Sequence, residues 1–85
     1  MTKGPRLDAK AIGQRIRELR RKRGWYQRHL AARSGVHRAL IGLFETGARV
    51  PRLEAGIALA MVFRRSLEWL YFGQARRGQL YRLAR

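Results

Sequence analysis

Apolar residues recur along this chain at helical spacings. Ile12, Ile16 and Leu19 lie four and three positions apart, which puts them on one face of a helix that Asp8 can cap and that runs to about Arg23. Arg15, Arg17, Arg20, Arg21, Lys22 and Arg23 cover much of the remaining surface, and Gly24 ends the helix. A second helix is predicted from Gln27 to Ser34, burying Leu30 and Ala31 until Gly35 breaks it. A third, from about Arg38 to Glu45, directs Leu40, Ile41 and Phe44 inward and stops at Gly47. Pro51 suits a loop entering a fourth helix, Leu53 to Phe63, whose apolar set is Leu53, Ile57, Ala60, Met61 and Phe63. Ser66 can cap a fifth, from Leu67 to about Phe72, closed by Gly73. No stretch alternates long enough to make a useful strand, so the fold class is all-α. The helical domain spans residues 9–73, between a loose basic arm (residues 1–8) and a basic tail (74–85) in which Leu80 and Leu83 permit a short helix.

Charge adds what periodicity does not. The 85 residues carry 20 Lys and Arg against 5 Asp and Glu, a formal net charge of +15. That excess is far beyond what solubility requires and favours a phosphate polyanion or an acidic partner surface. The length allows one small core. With no cysteine, disulfides, thiolate nucleophiles and cysteine zinc sites are excluded. His29 and His37 form no recognisable catalytic or metal constellation, so neither an enzyme nor a cofactor is expected. The apolar runs are too short to span a bilayer and no signal peptide is indicated, leaving the cytoplasm as the expected location.

The segment QRHLAARSGVHRALIGLFET, residues 27–46, reads as two helices joined by a tight turn. Ala31 supplies a small side chain where the helices come closest, and Gly35 supplies a left-handed turn residue at a position where others lose roughly 1 kcal/mol or more. With Val36, Ile41 and Phe44 turned to the core, His37, Arg38, Ala39, Gly42 and Leu43 fall on or near the exposed side of the third helix. Such a helix fits a DNA major groove, where Arg38 can pair with guanine O6 and N7 and Ala39 can touch a thymine methyl. Gln27 opens the second helix toward a phosphate, while Arg49 and Arg52 flank the following loop as backbone contacts. Lys22, Arg23 and Arg28 are weaker phosphate candidates. Glu45 is the one acid within this segment; a salt bridge to Arg20 would offset its repulsion of phosphate and clamp two helices together.

IGQRIRELRRKRGW, QRHLAARSGV, LFETGARVPRLE and SLEWLYFG together resemble the lambda-type repressor and Cro family of helix-turn-helix domains, over about Ile12 to Gly73. The resemblance implies a compact five-helix bundle that binds operator DNA, usually as a two-fold dimer. Under it, Gln27 matches a DNA-contacting glutamine, Arg38, Ala39 and Leu43 match base-facing positions, Arg52 matches a position near phosphates or the minor groove, and Arg20 with Glu45 match an ion pair. Two departures stand out. Tyr26 and His37 replace the usual small capping residues, an expected loss of about 1 kcal/mol for each helix. Gly42 and Leu43 replace residues that are commonly polar, leaving Arg38 nearly alone as a polar reader.

The leading expectation is therefore a small transcriptional regulator, most simply a repressor acting by promoter occupancy. An antitoxin whose tail folds on a protein partner is one alternative, and a helical bridging module with weak DNA specificity is another. A homodimer through the fifth helix, around Trp69 and Tyr71, is the expected assembly.

Overall fold

The computed structural model describes residues 6–73 and contains α1 (Ala9–Lys22), α2 (Gln27–Ser34), α3 (Arg38–Thr46), α4 (Leu53–Phe63) and α5 (Leu67–Phe72). Most of the basic arm and the whole tail, with the helix expected near Leu80 and Leu83, lie outside the described residues. None of these helices is long and apolar enough to cross a membrane.

The capping chemistry fixes several ends. Asp8 Oδ1 accepts from Ala11 N at 3.1 Å, and Ser66 Oγ accepts from Trp69 N at 3.0 Å. The expected loss of a cap at α3 does not occur, because His37 Nδ1 accepts from Ala39 N at 3.2 Å. A neutral imidazole has the acceptor lone pair that a hydroxyl or amide cap would supply. At α2 the Tyr26 side chain makes no cap, but His29 Nδ1 accepts from Tyr26 N at 2.9 Å, the returning half of a capping box.

Ile12 and Ile16 of α1, Leu30 of α2, Ile41 and Phe44 of α3, Leu59 and Phe63 of α4 and Leu70 of α5 are all buried in one core. Ala31 packs half-buried against it. α1 meets α3 so closely that a Cβ on Gly13 would stand 2.1 Å from Phe44 O and 2.9 Å from Glu45 O. Glycine is thus what allows the two backbones to touch.

The apolar set expected on α4 needs correction. Ala60 and Phe63 are buried as expected, but Leu53, Ile57 and Met61 are 62%, 40% and 73% exposed. The inward stripe is instead Gly56, Leu59, Ala60 and Phe63, spaced as one face of a helix. Because LEAGIALAMVF is apolar almost all round, its periodicity could not select that face.

Two arginines serve the fold. Arg23 donates to Val62 O and Phe63 O at 3.0 and 2.9 Å, satisfying carbonyls at the end of α4. Arg15 Nη1 does the same for Leu70 O of α5 at 2.8 Å. Trp25 stacks on Phe63 at 6.1 Å between ring centres, and Trp69 meets the same ring edge-on at 6.3 Å.

Candidate nucleic-acid interface

The turn between α2 and α3 is built from its own residues. Gly35 takes φ 75°, and its N–H donates to Ala31 O at 2.9 Å. Ser34 Oγ donates to Leu30 O at 2.7 Å and accepts from Val36 N at 3.1 Å, while Val36 is buried. This fixes the entry of α3, whose inner face is Ile41, Phe44 and Glu45. His37, Arg38, Ala39 and Leu43 consequently stand exposed.

A buried polar network sets how α1, α2 and α3 sit together. Arg20 Nε and Nη2 donate to the two Glu45 carboxylate oxygens at 2.7 and 3.0 Å, a bidentate pair in which each residue is only 7% exposed. Arg20 Nη1 donates to Trp25 O at 2.7 Å, tying the link between α1 and α2 to the same guanidinium. Hydrogen bonding to Glu45 raises the Arg20 pKa above its ordinary value; burial opposes this, and the Glu45 charge adds to it. The pair that charge arithmetic anticipated is therefore present, and it carries a third member. Gln27 Nε2 donates to Glu45 Oε1 at 3.1 Å, so the amide at the start of α2 is held in orientation from behind.

Gln27 Oε1 then lies toward Gly42, 3.8 Å from where a Cβ on that residue would be, an ordinary contact distance. Gln27, Arg28 and Arg38 line one hollow together with Arg21, which the sequence marked only as one of many charges on α1. Arg28 Cζ sits 4.7 Å from the centre of the Tyr26 ring. His37, Arg49 and Arg52 line a second groove, between the turn and the loop into α4. Cations thus border α3 on both the α2 side and the loop side, beside an outward face holding Arg38, Ala39 and Leu43.

Trp69 and Tyr71, expected at a dimer contact, are both half-buried within the chain. Tyr71 Oη donates to Pro51 O at 2.8 Å and packs on Gly56, and burial raises its pKa above the usual value near 10. Tyr71 also borders an apolar surface formed with Leu7, Pro51, Leu53 and Phe72. Trp69 lies apart from that surface, with Arg65 Cζ 4.9 Å from its ring centre.

Comparison with known proteins agrees with this architecture. A helix-turn-helix family model matches residues 16–70. The restriction-modification controller protein C.AhdI from Aeromonas hydrophila is 36% identical, with a TM-score of 0.70, over 75% of this chain and 97% of that one. The P22 c2 repressor protein, solved in complex with synthetic operator 9T in the presence of Tl+, is 30% identical, with a TM-score of 0.70, over 74% of this chain and 96% of its own. No curated protein sequence matches. From residues to bundle to matched relatives, the chain belongs to the helix-turn-helix family, of the lambda repressor and Cro type.

Proposed function

We propose that the protein is a DNA-binding transcriptional regulator, most simply a repressor, that lays α3 in the major groove of a double-stranded operator in the cytoplasm. The observation that carries this reading is the Arg20, Glu45 and Gln27 network, which holds α2 against α3 so that Arg38 stands exposed between bordering cations. The P22 c2 repressor, a relative over most of this chain, was solved on an operator, and C.AhdI is a controller protein, which supports regulation by DNA binding rather than catalysis. Arg38 is the base reader, Ala39, Gly42 and Leu43 allow close approach, and Gln27, Arg28, His37, Arg49 and Arg52 hold phosphates.

Titration of the operator against random duplex tests the division of labour. Arg38→Ala should cost about 1–3 kcal/mol on the operator and little on random DNA, whereas Arg52→Ala should weaken both alike and flatten the salt dependence. Equal losses on both duplexes for Arg38→Ala would remove it as a reader.

The regulator acts as a homodimer in this proposal. Leu53 and Phe72, 62% and 44% exposed, join Tyr71 on the apolar surface near the end of α5 and form the contact. Leu53→Glu combined with Phe72→Glu should give a monomer by sedimentation and weaken operator binding; an unchanged mass would move the contact elsewhere. A protein partner for the tail, as in an antitoxin, would engage residues 74–85, outside the described residues.

A further inference from the structure

The groove between the α2–α3 turn and the loop into α4 has a composition that phosphate binding alone does not require. Its volume is about 480 Å³, within the usual range of roughly 300–1,000 Å³ for small-molecule sites. The apolar part of its lining is formed by Val36, Leu40, Phe44, Val50, Ala55 and Ala58. The two alanines lie three apart on α4 and keep the groove open where longer side chains would fill it. Arg49 and Arg52 line it, and among the described residues neither side chain makes an ion pair. His37 supplies another donor: its Nδ1 accepts from Ala39 N, so the neutral ring carries its proton on Nε2. Glu54 is the one acid among the lining residues.

An apolar trough lined with two arginines and an imidazole N–H suits a small amphipathic anion, and a carboxylate is the simplest such ligand. We infer that this groove is an effector site for such an acid, its hydrocarbon body against Ala55, Ala58 and Leu40 and its carboxylate held by Arg49 and Arg52. The inference rests on the DNA-binding reading for its consequence. The same arginines that would hold phosphate are engaged by the ligand and one of their two charges is offset, so occupancy and operator binding oppose each other. A sensor is thereby contained within the DNA-binding module itself.

Octanoate is the probe, with sodium chloride at matched ionic strength and 1-octanol as comparators, and amide and methyl chemical shifts of the full chain as the first readout. Saturable shifts confined to the groove residues, together with a loss of operator affinity of at least about fivefold beyond the salt control, are expected. Octanol should release no DNA. Ala58→Phe and, separately, Ala55→Leu fill the groove from a residue assigned no DNA contact; each should abolish the octanoate effect while keeping operator affinity, with folding checked by melting. Shifts that never saturate, that fall on the exposed Leu53, Ile57 and Met61 stripe instead, or that persist in both filled variants overturn the site. If the unliganded protein binds no duplex, the DNA reading fails separately, and the shift map still decides whether the groove takes a carboxylate.

Discussion

Replacing Gly13 with alanine should destabilise the domain by about 3 kcal/mol or more, the upper end of the usual overpacking cost. On helix propensity alone the change should help by up to about 1 kcal/mol, since alanine is the better helix former. The tertiary term has the opposite sign and is larger. The added methyl would lie 2.1 Å from Phe44 O and 3.0 Å from Glu45 C, and both are backbone atoms of α3 that no rotamer change can move aside. Relief requires α1 and α3 to separate, which loosens Ile12 and Ile16 against Ile41 and Phe44. Thermal melting should fall by roughly 12 °C or more for a domain of this size. Gly42→Ala is the matched control, because its new methyl meets only Gln27 Oε1 at 3.8 Å, and it should leave the melting temperature equal or higher. A Gly13 variant that melts at or above the parent would refute the contact geometry.

Glu45→Ala should cost about 3 kcal/mol, the lower end of what breaking a buried ion pair costs. The loss comes less from the missing attraction than from what remains. Arg20, 7% exposed, would keep its charge with only Trp25 O as a partner, and Gln27 would lose the acceptor that orients its amide. Arg20→Met combined with Glu45→Leu should recover most of the stability, because an apolar pair of similar volume needs no partner. That double variant should still bind all duplexes more weakly, since Gln27, a phosphate contact in the proposed function, is then unanchored. Urea unfolding of the two single alanine variants and their double gives the coupling directly; a value of about 1 kcal/mol or below, typical of solvent-exposed pairs, would contradict the buried network.

The sequence was most informative wherever the determinant was local. Asp8 and Ser66 announce helix starts through their own oxygens, and glycines mark four of the five helix ends, so the bounds emerge within a residue or so. The Arg20 and Glu45 pair was visible because a lone acid in a basic segment demands a cation. Determinants that are tertiary were not visible. Nothing near Gly13 in the chain asks for glycine; the requirement comes from α3. Arg23 and Arg15 read as surplus surface charge because the carbonyls they serve lie 39 and 55 positions away. On α4 the hydrophobic pattern is too uniform to assign an inner face, which left Leu53, Ile57 and Met61 wrongly placed. The candidate DNA residues could be listed from the helix-turn-helix spacing, but Gln27 as the second partner of Glu45 and the inclusion of Arg21 came only with the structure.

The two sides of α3 carry separate duties. Ile41, Phe44 and Glu45 hold the bundle, whereas the side chains of Arg38 and Ala39 stand exposed and Leu43 keeps 39% of its surface open to solvent. Under the proposed function, substitutions at these outward positions should change DNA preference while leaving the packed side of α3 intact. Retargeting by mutation or by design at Arg38 and Ala39 should therefore be inexpensive in stability.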